Sequence, residues 1–299
     1  MLFAVGGVMC TSLWDELQSA AWGRRTADIA GRCRGDTVIF NCMIHVVKIG
    51  GNVIDSPEAT ARFVEAFAAL EAPKILVHGG GKLATRLAAQ LGIESRMVDG
   101  RRITDRETLD VVTMVYAGLI NKRLVAALSA AGCRSIGLSG ADGDAITAVR
   151  RVAGAVDYGY VGDIAEEGVN VGLLRTLLDA GLTPVFSAIT CDGGGTLLNT
   201  NADSVASAVA VAASRIAPTR LVFCFEKAGV LRDVEDEGSV IAEITPGTYA
   251  ALRAEGVINK GMLPKIDGAF RAIEGGVESV VIKQADDLLA QSGTTIRRG

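Results

Sequence analysis

The sequence predicts an α/β fold, a three-layer α-β-α sandwich around a central, mostly parallel sheet. Two observations point there. From residue 43 onward, short apolar runs alternate with stretches of helical periodicity. Several of these runs end in glycine, as at Gly50-Gly51, Gly79-Gly80-Gly81 and Gly140. Repeated β-α-β units lay helices on both faces of a sheet. Ligands of such a sheet bind beyond the carboxyl ends of its strands, where the glycines fall.

The elements follow in order. A strand over 44–50 ends at Gly50-Gly51. Ser56 then caps a helix with Pro57 in its first turn, and Phe63, Val64, Phe67 and Leu70 form its apolar stripe. A strand over 74–78 runs into three glycines and a helix to about Leu91. Thr104 with Glu107 reads as a capping box that opens a long helix to about Ala131. A strand over 135–139 and two hairpin strands near 145–150 and 156–164 come next. Helix 170–180 stops at Gly181, and Pro184 opens strand 184–189. An alanine-rich helix starts near Asp203, followed by strand 220–225, a last helix over about 264–275 and a closing strand at 279–283.

Residues 1–42 read differently. They hold three of the chain's six cysteines and both tryptophans, without strand-helix alternation. They are an atypical N-terminal extension, read as a poorly ordered tail in preference to a regulatory segment. The opening apolar residues lack a basic stretch before them, so no signal peptide is expected. No apolar run reaches the ~20 residues that span a bilayer. A formal net charge of -4 without basic runs excludes broad nucleic-acid binding. No cysteines form a C-x-x-C pair, so no zinc or redox motif is readable, and isolated thiols fit a reducing compartment.

Six segments carry chemistry. In Lys48-Ile49-Gly50-Gly51-Asn52, a strand-end ammonium sits beside bare backbone N–H groups, a combination suited to phosphate. A lysine that merely snorkels from a strand end is the plain alternative. In His78-Gly79-Gly80-Gly81-Lys82, three glycines before a helix free N–H groups for an anion; His78 reads as a satisfied turn residue. Gly79-x-Gly81-x-x-Ala84 also matches a dinucleotide fingerprint, a weak signal alone. In Gly100-Arg101-Arg102-Ile103-Thr104, an arginine could bind a carboxylate, although solvated loop arginines look the same in sequence. Asp157–Asp163 reads unaided as a hairpin strand. In Asn199-Thr200-Asn201-Ala202-Asp203, capping needs only one polar residue and three imply a polar site. In Lys260-Gly261-Met262-Leu263-Pro264-Lys265, a cation stands at a helix start, against the helix dipole, and so implies an anionic partner.

In this order these segments resemble the N-acetylglutamate kinases of the amino-acid kinase family, from about Met43 to Val230 and again around Gly261–Lys265. The most specific likenesses are Gly100–Thr104, Gly159–Gly162 and Asn199–Asp203. The resemblance implies an amino-acid kinase fold over 43–299, with residues about 43–190 as the acyl-amino-acid lobe and about 191–299 as the nucleotide lobe. It implies Lys48, Lys265 and Asp203 as catalytic residues, the lysines flanking the phosphoryl group in flight. Gly80, Gly81, Arg102 and Asn199 would bind the substrate. Gly50, Gly51, Glu226, Lys227, Gly229, Leu231, Asn259 and Lys265 would contact ATP. ATP would arrive with Mg²⁺, for which no protein ligand is named. A homodimer through the long helix, cytoplasmic location and a role in arginine biosynthesis are also implied. The chain departs from the pattern at Glu226, where the family usually has Asp, and over its last ~20 residues.

The reaction implied is phosphorylation of the γ-carboxylate of N-acetyl-L-glutamate. A glutamate carboxylate with pKa ~4.3 is already a nucleophile at neutral pH, so no general base is required. Alternatives are an N-succinylglutamate or other acyl-amino-acid kinase, an NAD(P)-binding oxidoreductase, and a silent sensor; the intact lysine pair argues against the last.

Overall fold

A computed structural model describes residues 42–98, 100–258 and 262–299. The N-terminal extension lies outside them except for Cys42, as does Asn259. In chain order the first elements are β1 (Ile44–Ile49), α1 (Gly51–Asp55), α2 (Pro57–Ala69), β2 (Lys74–His78) and α3 (Gly81–Gln90). A small hairpin, β3 (Met97–Val98) and β4 (Arg101–Arg102), precedes the long helix α4 (Arg106–Ala130). Then come β5 (Ser135–Leu138), β6 (Ile146–Arg150), β7 (Gly162–Val169), α5 (Val171–Asp179), β8 (Thr183–Ser187), β9 (Ile189–Cys191) and β10 (Leu197–Asn199). The chain continues with α6 (Ala202–Ser214), β11 (Thr219–Phe225), β12 (Glu243–Ile244), α7 (Pro246–Ala254), α8 (Leu263–Glu274), β13 (Ser279–Gln284) and β14 (Thr294–Ile296).

The main sheet has eight strands in the order β12-β14-β13-β11-β1-β2-β8-β5, parallel except where β14 pairs antiparallel with β13. β1 is central because it is apolar on both faces. Val47 and Ile49 join a core with Phe63 and Phe67 of α2 and Val112 and Leu124 of α4. The alternate positions, Val46 and Lys48, face the other side, where α6 packs on β1 and β11. The chain leaves β1 toward β2 and later returns to β11 on the opposite side. That reversal is the switch point at which doubly wound sheets bind ligands.

Ser56 caps α2 through Ala59 N, as predicted. The other end of α2 is closed by a lysine: Lys74 Nζ donates to the carbonyls of Phe67, Ala68 and Leu70 at 2.7–2.9 Å. Two expectations need correction. Asp105, not Thr104, caps α4, accepting from Thr108 N at 2.8 Å. Thr104 is already spent, because its N–H and C=O bond Tyr158 and Tyr160. The second hairpin strand, β7, starts at Gly162 rather than 156, since Tyr158–Val161 bridges to Thr104 and Asn199 instead of pairing with β6. By length and composition α4 is apolar enough to cross a membrane, but its Leu109, Val112, Val115, Ile120 and Leu124 are core residues.

Candidate functional site

At the carboxyl end of β1, Lys48 is flanked by Val77 of β2 and Phe223 of β11. Its Nζ lies 2.8 Å from Asp203 Oδ1. Asp203 stands in the first turn of α6, where acidic side chains also suit the helix dipole. The three polar residues around that helix start divide the work. Asn201 is the cap, accepting from the N–H groups of Asp203 and Ser204. Asn199, buried in β10, donates to Thr104 Oγ1 at 3.0 Å. Asp203 is left for the lysine.

Lys265 enters from α8. The ring of Phe225 carries both ammonium groups, Lys265 Nζ at 3.4 Å and Lys48 Nζ at 5.3 Å from its centroid. The two cations are therefore no more than about 9 Å apart. Burial lowers the Lys265 pKa; Asp203 opposes that shift, Lys48 reinforces it and Glu226 opposes it again.

Each lysine borders its own cavity. The first, about 220 Å³, is lined by Lys48, Gly51, Gly80, Gly81, Arg102 and Asn199 among others, with Tyr116 and Val161. The second, about 290 Å³, is lined by Phe225, Glu226, Lys227, Gly229, Leu231, Ile258, Met262 and Lys265, among others. Every site residue expected from sequence and described by the structure thus falls on one of these walls, apart from Gly50 and Asp203. Asp203 lines the adjoining groove between α6 and α8, next to Lys265. Gly50 departs from the expectation of a free N–H, which donates to Cys224 O at 3.2 Å. Lys227 is half exposed and pairs with Glu237 at 3.3 Å.

The first cavity is built to attract an anion. Arg102 is only 6% exposed, and among the described residues no carboxylate pairs with it. Its guanidinium donates to Ser95 Oγ, Gly81 O and Thr85 Oγ1. A buried cation with only neutral partners is costly, and an incoming carboxylate relieves that cost. The walls are locked by the segment that sequence left as a plain hairpin. Tyr160 N donates to Thr104 O at 2.7 Å, and Asn199 N donates to Tyr160 O at 2.9 Å. A Cβ on Gly159, whose φ is +72°, would overlap the Thr104 carbonyl, so only glycine fits that junction.

Behind the glycine loop, buried His78 places Nδ1 2.9 Å from Gly79 O, and Asn121 Nδ2 lies 3.1 Å from its Nε2. With the amide as donor, the ring is the neutral tautomer that donates to Gly79. Burial lowers His78 to about 4. The folded pKa is below the unfolded value of 6.5, so the contribution is fully present above pH 6.5 and is lost as pH falls toward 4. We expect up to about 3 kcal/mol of stability to disappear across that window. His78→Gln should flatten the dependence of urea midpoints on pH; an unchanged slope would remove His78 from the account.

The model of the amino acid kinase family matches residues 43–284. An acetylglutamate kinase of Cytophaga hutchinsonii is 54% identical over 247 residues, covering 82% of this chain and 93% of that protein. The acetylglutamate kinase of Phocaeicola vulgatus is 50% identical over 253 residues, covering 85% and 98%. Among solved structures, smu.665 from Streptococcus mutans UA159 superposes with a TM-score of 0.69 at 28% identity, covering 85% of this chain and 98% of that one. The dinucleotide reading of Gly79-x-Gly81-x-x-Ala84 falls with these matches. Its geometry fails too: the strand after α3 is β3, in a separate two-stranded hairpin and not beside β2 in the sheet.

Proposed function

The chain belongs to the amino acid kinase family, and we infer on that premise that it transfers the γ-phosphoryl group of ATP to the γ-carboxylate of N-acetyl-L-glutamate, in arginine biosynthesis. The named relatives support the substrate pair. The structural observation that carries the mechanism is the lysine pair over one phenylalanine ring, each lysine bordering one of the two cavities.

In this reading the first cavity takes the acylglutamate, its α-carboxylate at Arg102 and its acyl amide near Asn199. The second takes the nucleotide, between the Glu226–Leu231 loop and Ile258 with Met262. A γ-carboxylate oxygen attacks the terminal phosphorus, the bond from phosphorus to the β–γ bridging oxygen breaks, and ADP departs. The product is an acyl phosphate, and no proton moves. Lys48 and Lys265 stabilise charge on the phosphoryl oxygens, with Gly51, Gly80 and Gly81 supplying backbone N–H groups. Asp203 holds Lys48 in place and offsets the repulsion between the two cations. Mg²⁺ enters with ATP, held by phosphate oxygens and water; among the described residues no cluster of three or more His, Cys, Asp or Glu could hold a metal ion.

We assign residues 43–190 to the acylglutamate side and 191–299 to the nucleotide side, with Asn199 reaching back across that boundary. The exposed Met114 and Leu119 on α4 support a homodimer through this helix, which sedimentation would read as twice 31.0 kDa. A reaction fed by ATP and biosynthetic intermediates belongs in the cytoplasm. The deciding experiment is coupled ADP release with N-acetyl-, N-succinyl- and free L-glutamate. N-acetylglutamate should turn over fastest; a faster succinyl substrate would move the assignment to the alternative acyl group, and no ADP release with either would end it.

A further inference from the structure

Helix α4 departs from regular winding at one place, the π-helical stretch Met114–Ile120. Such turns widen a helix, re-aim its side chains and are frequent at functional sites. This one abuts the glycine loop. A Cβ on Gly80 would overlap Ile120 Cδ1 and come within 3.2 Å of Tyr116 Cδ1. Tyr116 is buried, yet it lines the cavity of Gly80, Gly81, Arg102 and Asn199. Its hydroxyl is on the cavity side: a Cβ on Gly81 would stand 3.9 Å from both Tyr116 Oη and Arg102 Nη2.

The phenol's neighbour is a donor. Arg102 Nη2 and the phenol oxygen face the same point beside Gly81, and a guanidinium cannot accept, so the phenolic O–H remains to be given. Burial raises the phenol's pKa, while Arg102 opposes the shift, and the group keeps its proton at neutral pH. Arg102 has few donors to spare. Of its five N–H groups, three already serve Ser95, Gly81 and Thr85. A carboxylate drawn to this arginine gains from another donor nearby.

We propose that the Tyr116 hydroxyl is a substrate-binding group, which donates a hydrogen bond to the carboxylate attracted by Arg102 and so sharpens selection for an acylated α-amino acid. The π-helical turn is what aims it. The proposal rests on the acylglutamate-kinase reading above.

Tyr116→Phe keeps the ring against Gly80 and removes only the hydroxyl. Initial rates should show KM for N-acetyl-L-glutamate raised about tenfold, the weight of one hydrogen bond to a charged group. The kcat and the KM for ATP should stay within about twofold, because the hydroxyl reads the substrate and not the phosphoryl group. Inhibition by 4-acetamidobutyrate, which lacks the α-carboxylate, should be the same in wild type and variant. An unchanged KM for the substrate overturns the proposal. An equal loss of 4-acetamidobutyrate binding overturns it too, because the hydroxyl would then act on another part of the ligand or only on packing. Calorimetric titration of N-acetyl-L-glutamate onto the intact protein gives the same comparison without turnover. Wild type that neither binds nor phosphorylates N-acetyl-L-glutamate sinks the kinase reading and this proposal together, a result distinct from active wild type with an indifferent variant.

Discussion

Lys265→Met lowers kcat by about two decades or more, with KM for ATP changed only a few-fold. Loss of one group that stabilises developing charge typically costs about 3 kcal/mol of barrier, and an ammonium on the transferring phosphoryl is such a group. Methionine is the cleaner probe here. It keeps an unbranched chain over Phe225 and leaves the Lys48–Asp203 pair at 2.8 Å untouched. Lys48→Ala should cost a similar factor in rate, but it also strands the Asp203 carboxylate in a partly buried site, so its stability should be measured beside its rate. The ground-state complex retains most of its contacts to nucleotide through the Glu226–Leu231 loop, which is why KM should move little. The pH profile adds a signature. Burial holds the Lys265 pKa below the ordinary lysine value, so wild-type kcat should decline as pH rises through that lowered pKa, before a solvated lysine would lose its proton. Steady-state ADP release across pH, for wild type and the methionine variant, reads both effects. A methionine variant with near-normal kcat would remove Lys265 from the phosphoryl site.

The sequence made the scaffold of this site legible because each part repeats a local signal. Strand ends with glycine, a helix start with a cation, and an excess of polar residues before Asp203 are all visible within five residues. What stayed hidden is non-local. Phe225 looks like one more apolar strand residue, and only the register of β1 against β11 places its ring beneath both ammonium groups. Thr104 has a sound capping signature, but two backbone bonds from Tyr158 and Tyr160 take the residue away from the helix and pass the cap to Asp105. The same bonds displaced the start of β7. In sequence, Tyr116 looks like one more apolar residue of the long helix. Its cavity-facing hydroxyl depends on a π turn, for which hydrophobic periodicity carries no signal. The order of the eight strands was equally out of reach, since β12 and β14 are two and three residues long and pair across fifty residues of chain.

Gly80→Ala is expected to reduce kcat/KM for N-acetyl-L-glutamate by about a hundredfold, the scale of a roughly 1 Å displacement of a binding loop. Two separate obstacles meet at this residue. The first is steric: the new Cβ overlaps Ile120 Cδ1 and sits 3.2–3.3 Å from the Tyr116 ring. The second is conformational: φ of +155° with ψ of 27° belongs to glycine's range, and an L side chain is strained there whatever the space around it. A second substitution separates them. Ile120→Val removes the clashing Cδ1 methyl at a cost of about 1 kcal/mol in packing. If the overlap were the whole difficulty, Gly80→Ala/Ile120→Val would recover both melting temperature and activity. The backbone argument expects otherwise. The double variant should regain part of the lost stability while kcat/KM stays depressed, because the loop must still rotate to relieve φ, and its rotation turns the N–H groups of Gly80 and Gly81 away from the cavity. Gly79→Ala is the control: it carries no positive φ, and its Cβ would meet only Ala202 Cβ at 3.5 Å. That variant should keep most of its activity, and a loss as large as that of Gly80→Ala would show that bulk in the loop, not backbone conformation, sets the requirement for glycine.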